Sequence, residues 1–185
     1  MTNRNRIAYY MVGFLVGTCL VSVIMMRRNA REQAAVDPWA VQQQAALALG
    51  YEPLPKTVPE VMAQGTVINY GVLPSEAAPE ERVWLLNFTE SYPYVRVVEQ
   101  IESGALSFMA ADQVLLELAD GVDVTALKPM LDELGLRMRM FNRKERVAVI
   151  GVLSTQIDAV PATLEAIQPW ASLFVNAEPD YIKFR

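Results

Sequence analysis

Residues 113–152 read QVLLELADGVDVTALKPMLDELGLRMRMFNRKERVAVIGV, and the order of elements in this stretch sets the fold class. From Gln113 to Leu118 the chain alternates as a strand, with Val114, Leu116 and Leu118 on one face. Residues 119–123, ADGVD, form a turn ending on a favourable helix N-cap residue, Asp123. Val124, Leu127, Met130, Leu131 and Leu134 then recur at helical spacing. A proline in a helix interior costs about 3 kcal/mol. The helix is therefore expected to start at Thr125 or Ala126, which puts Pro129 in its first turn, and to stop at Gly135. Leu136 to Met140 alternate apolar and basic, the pattern of a half-buried strand with Arg137 and Arg139 outward. Residues 142–145 read as a turn and 146–152 as the next strand.

Toward the C-terminus, Asp158 and Pro161 open a second helix with Leu164 and Ile167 on its inner face, halted before Pro169. Residues 171–176 complete the order β-α-β-β-α-β. Two helices on one face of a four-stranded antiparallel sheet bury these faces, so the expected class is α+β, a ferredoxin-like sandwich. Toward the N-terminus, residues 82–88, 94–100 and 105–109 are strand-like, and Glu102-Ser103-Gly104 between the last two is a hairpin turn. These extra strands extend the α+β domain to residues 82–185, with its core at 112–185.

The start of the chain has a different character. Residues 7–26, IAYYMVGFLVGTCLVSVIMM, contain no charge. A helix of about 20 residues spans roughly the 30 Å hydrocarbon core of a bilayer. Tyr9 and Tyr10 sit where an interfacial aromatic belt would lie. Gly13 and Gly17 have the GxxxG spacing of close helix contacts, which is also ordinary membrane-helix composition. A cleaved signal would need a small-x-small site before Arg27, and lipid attachment at Cys19 would need a better box than Val16-Gly17-Thr18. The expectation is an uncleaved single-pass anchor over residues 1–31, with a lipoprotein and a cleaved signal as alternatives. Cys19 is then a small apolar helix residue. Arg4, Arg6 and the α-amino group face Arg27, Arg28 and Arg31 across the run, so flanking charge gives no orientation.

Asp37-Pro38 opens a short helix over 38–49, with Gly50 suited to its C′ position. Residues 51–81 hold Pro53, Pro55, Pro59, Pro74 and Pro79 and little periodicity. They read as an extended spacer with one helical turn near 59–62, so residues 32–81 form a connector.

Composition excludes several functions. The chain has no histidine and one cysteine, which removes Ser-His-Asp and Cys-His catalysis, His-ligated metals and internal disulfides. Net charge is −5, and residues 32–185 carry 11 basic against 21 acidic groups. Such an acidic body argues against nucleic acid as a partner. Asp132-Glu133 and Glu80-Glu81 are adjacent rather than facing carboxylates and read as solvated charge. Trp84, Tyr92, Tyr94, Phe108 and Phe141 read as packing, and Asn87-Phe88-Thr89 is a glycosylation sequon that chance often produces. Arg137, Arg139, Arg143, Lys144 and Arg146 cluster on one hairpin, either as a solvated face or as a patch for an acidic partner. No phosphate loop, metal site, cofactor site or catalytic residue stands out, so the chain reads as a non-enzyme.

Residues 112–185 resemble the propeptide domain of subtilisin-like serine proteases, an inhibitor and intramolecular-chaperone module. The likeness lies in residues 113–118 (QVLLEL), in Asp120-Gly121-Val122-Asp123 before the helix, in Leu134-Gly135-Leu136, and in Ala177-Glu178-Pro179-Asp180-Tyr181 after the last strand. The resemblance implies binding to another protein, with an exposed sheet packed on a protease and a substrate-like tail in its cleft. No catalytic domain accompanies this module in the sequence, and an apolar run precedes it. The leading expectation is a membrane-anchored inhibitor or folding helper of a separate subtilisin-like protease. Its partner-binding residues would be Glu178, Pro179, Asp180, Tyr181, Ile182, Lys183, Phe184 and Arg185. A tail that simply extends the last strand, with Tyr181 and Phe184 packed locally, is the structural alternative for the same residues. The functional alternative is a non-catalytic accessory or assembly subunit of a larger membrane complex. The resemblance favours the non-cytoplasmic side for the domain.

Overall fold

A computed structural model describes residues 22, 25, 26, 37–73, 80–89, 92–152 and 155–184. Its sheet is built from β1 (Thr66–Leu73), β2 (Glu81–Asn87), β3 (Tyr94–Gln100), β4 (Leu106–Leu118), β5 (Arg137–Asn142), β6 (Val147–Gly151) and β7 (Phe174–Tyr181). All pairings are antiparallel. Helix α1 is Pro38–Ala48, α2 is Lys128–Leu134 and α3 is Ala159–Ala166. The chain is thus α+β, with one seven-stranded sheet and few helices.

The 13-residue strand β4 organises the sheet. Its first half, from Leu106 to Ala110, pairs with β3, and β3 continues through β2 to β1 as a meander. Its second half, from Gln113 to Glu117, pairs with β6, which carries β5. Strand β7 pairs with Val114 to Leu118 and again at Met109, so it runs along the opposite edge of β4. Strands β3 and β6 therefore share one edge, end to end. The order β7-β4-β6-β5 holds the β-α-β-β-α-β half of the chain.

Both helices of that half feed one apolar cluster. Leu127 and Met130 at the start of α2, and Ala159, Val160 and Ile167 around α3, pack with Val114, Leu116, Ala148 and Ile150. Asp123 caps a 3-10 turn over Val124–Leu127, and α2 follows from Lys128, two to three residues later than the expected start, with its C-terminal stop as expected. Asp123 accepts from the Thr125 N–H at 2.9 Å, Pro129 lies in the first turn of α2, and Gly135 closes it at φ +65°, a conformation that suits a residue without Cβ.

The chain divides into two compact units, Met1–Val41 and Gln42–Arg185. In the first, Ser22, Met25 and Met26 are helical and exposed, and Asp37 accepts from the Trp39 N–H at 3.0 Å. Otherwise the anchor expected over residues 7–26 lies outside the described residues. Among the described residues no helix is long and apolar enough to cross a membrane.

The spacer expected over 51–81 needs correction. Thr66–Leu73 is strand β1, and Leu54, Val58 and Met62 are all buried. Gln42 holds this segment by donating to the carbonyls of Met62 and Gly65 at 2.8 and 2.7 Å, and the Trp84 indole donates to the Glu52 carbonyl at 2.8 Å. The physical reason is that Trp84, Leu86, Val95 and Val97 leave a second apolar face on the meander, and that face must be covered. The sheet core therefore begins well before residue 82.

Candidate partner-binding surface

Each expected site residue except Arg185 has a defined place. Glu178 lies opposite Leu115 and is exposed, while Pro179 lies opposite Val114 and is half-buried. A proline is tolerated there because β7 is an edge strand and needs no donor on its open side. Gln113 donates to the Asp180 carboxylate at 2.5 Å. Tyr181 pairs with Met109 in the ladder and leaves its side chain half exposed. The Ile182 N–H donates to the Phe108 carbonyl at 2.9 Å, and Phe184 meets the Phe108 ring edge-on at 5.0 Å. Ile182 and Phe184 also line an apolar cavity of about 190 Å³ with Met62, Phe88, Tyr92 and Val95. Lys183 is exposed, and Arg185 lies outside the described residues. The described tail is thus an extension of β7 seated on the chain's own meander. Of the two readings of the tail, this is the one in which it extends the last strand with Tyr181 and Phe184 packed locally, and the first half of β4 is the partner it joins.

A polar seam crosses the sheet where β3 gives way to β6. Asp112, which is buried, accepts from Arg139 Nη2 at 2.7 Å, and Gln113 accepts from Arg139 Nη1 at 3.0 Å. Arg139 reaches them across Gly151, where a Cβ would sit 2.8 Å from Arg139 Nε. A side chain at 151 would make the Arg139 side chain shift from that path. The Asp180 charge, followed by burial, raises the pKa of the Tyr92 phenol. Arg96 is also buried, with Nε and Nη2 lacking a hydrogen-bond partner among the described residues. Burial lowers its pKa, opposed by the charges of Glu81 and Asp158. Tyr70 donates to Glu52, and burial followed by that bond pushes its pKa up to about 12. These groups tie elements together and share no accessible pocket that would assemble an acid, a base and a nucleophile.

The open surface is elsewhere. In the ladder, Leu115 faces Val149, and Val149 faces Met140. These three point away from the side that holds Leu116, Ala148 and the helices. Met140 is 59% exposed, and Glu117, Asn176 and Glu178 surround the row as exposed polar groups. Met140 was expected on the inner face. The register shifts between Met138 and Met140, so a bulge at Arg139 turns Met140 outward. Period-two alternation in the sequence carries no sign of such a bulge, and this surface was missed for that reason.

A groove of about 400 Å³ between α2 and α3 is lined mainly by Leu134, Val152, Ala159 and Ala162, with Asp158 as its one carboxylate. Among the described residues no three metal-ligating side chains come together. Comparisons with known protein families, with curated proteins and with solved structures found no match.

Proposed function

We propose that this chain is a non-catalytic, membrane-anchored protein-binding module whose C-terminal half is a ferredoxin-like sandwich of the protease-propeptide type. The observation that carries the reading is the one-sided cover of β4 and β5 around buried β6: helices bury one face of β4 and β6, and the other face carries half-buried Leu115 and exposed Met140 on either side of buried Val149, inside a polar rim. A small apolar centre ringed by polar groups is the usual anatomy of a protein contact. In the propeptide family that this half resembles, the open sheet face is the surface laid on the protease.

The seating of residues 181–184 on β4 favours binding through the sheet face over a peptide in a protease cleft. Within the reading, that shifts weight from inhibitor to folding helper or accessory subunit of a membrane complex. The test is photo-crosslinking from position 140 in the full chain, solubilised in detergent, beside capture by Met140→Glu and by a chain lacking residues 182–185. A stoichiometric partner crosslinked at 140, lost with Met140→Glu and kept after tail removal, supports the sheet face. Loss on tail removal alone, with inhibition of a subtilisin-like protease by the intact chain only, restores the cleft mechanism. No stoichiometric partner in any arm rejects the module.

A further inference from the structure

The hairpin from Arg137 to Arg146 is a cationic island. It holds five basic residues and one acid, Glu145, whereas the rest of residues 32–185 holds six basic and 20 acidic residues. The structure divides the five by use. Arg139 is spent on Asp112, and Arg146 on Asp120 at 2.7 Å and on the carbonyl of Ala119. Arg137, Arg143 and Lys144 are exposed and form no ion pair among the described residues, although Arg143 contributes to the field at Asp123. All three sit on or beside β5, which ends the sheet. Its outer edge has no strand neighbour among the described residues, so its backbone donors and acceptors on that side are open. Met138 and Met140 add exposed thioethers, 42% and 59% accessible, on the two faces of the same edge.

We infer that the β5 edge receives an extended acidic segment of the partner protein. Carboxylates of that segment would meet Arg137, Arg143 and Lys144, its apolar side chains would rest on Met138 and Met140, and its backbone would pair with β5. The inference rests on the protein-binding reading and names the chemistry of the partner. Charge complementarity selects the occupant, because a basic edge on an otherwise acidic body repels basic segments at the edge and acidic ones elsewhere. The open backbone edge selects a peptide over a lipid surface, since adding a strand satisfies donors and acceptors that lipid headgroups do not match in register. Met side chains suit the contact because they adapt to varied apolar neighbours.

The test uses the full chain in detergent and a fluorescent peptide alternating glutamate and valine, with its lysine–valine counterpart as the control probe. The glutamate peptide should bind and the lysine peptide should not. Combined Arg143→Glu and Lys144→Glu should weaken binding at least tenfold, and Lys56→Glu, at an exposed site outside the hairpin, should leave it unchanged. Raising salt from about 0.05 to 0.5 M should weaken binding severalfold, because exposed charges are screened. Unchanged thermal melting of the double variant would show that its loss is not misfolding. Failure of the glutamate peptide to bind, or equal binding by the double variant, overturns the inference. So does hairpin-dependent binding to anionic phosphatidylglycerol vesicles without peptide binding, or hairpin-dependent self-association of the chain. If the double variant still captures the partner that crosslinks at 140, the acidic-segment inference fails while the proposed function stands. If the peptide binds as described but no partner is captured, the proposed function fails instead.

Discussion

The two halves joined by β4 treat the same sheet in opposite ways. In the meander, residues 83–86 and 95–98 are buried without interruption, so both faces are covered. In the second half of β4, one face lies under α2 and α3 and the other carries exposed Glu117 and half-buried Leu115; β6 is buried from Ala148 to Gly151, and exposure on the outer face returns at Met140 of β5. A strand covered on both sides takes apolar residues at nearly every position, with buried Arg96 the exception in the meander, and one covered on a single side takes them at every second position. The meander is consistent with a structural role. The other half leaves a surface available, and that contrast places the candidate contact on the C-terminal half.

Substitutions can break or sharpen the contrast. The largest effect is expected at Trp84, which is fully buried in the meander: Trp84→Ala should cost about 3–5 kcal/mol in denaturant unfolding. A loss under about 1 kcal/mol would mean that the second face of the meander is not a core. Leu54→Ala should cost about 2–5 kcal/mol, because its 2% exposure makes the proline-rich segment part of that core. A neutral result there would restore the segment to a spacer. Arg139→Ala should cost about 1–3 kcal/mol by leaving the Asp112 carboxylate buried without its donor, and Arg139→Lys should recover only part of it. Equal stability of all three proteins would remove the seam as a link between the halves.

Asp123→Ala should lower the melting temperature slightly, through the lost bond to Thr125. Hydrogen bonds from the Thr125 hydroxyl and N–H hold the Asp123 carboxyl below its ordinary value of 3.8. Its stabilisation is therefore complete above pH 3.8 and fades as the pH falls through the lower folded value. Melts of wild type and variant should converge in acid, and a difference that grows there would contradict the cap. The smallest effect is expected at Met140, where Met140→Ala should change stability by under about 0.5 kcal/mol. A cost comparable with Leu54→Ala would mean that the outer face is closed and that the two halves do not differ.

Much of the C-terminal half was legible because its signals are local. The Asp123 cap, Pro129 in a first turn and Gly135 at a helix end are each read within a few residues. Strand β1 was not, because Asn69 and Gly71 interrupt its alternation and prolines bracket it. Its place is set by pairing with β2, at a distance in sequence. From the sequence, the last strand is expected to end at Asn176, three residues before Pro179. The free outer edge of β7 lets it continue to Tyr181. Of the candidate surface, the basic hairpin was visible as composition. Which arginines are already neutralised, and that Met140 points outward, depends on long-range pairing and a bulge.

The length of β4 also bears on how the chain is made. Residues 66–118 emerge from the ribosome before 147–181, so the hairpins of the meander can close while β6 and β7 do not yet exist. During that interval the second half of β4, with Val114, Leu115 and Leu116, has no strand on either edge. Unpaired apolar strand edges are templates for joining another chain. A nascent chain of this protein is therefore most vulnerable to sticking to its neighbours after the meander has formed and before β7 is released, and the pairing of β7, Phe174–Tyr181, closes that interval.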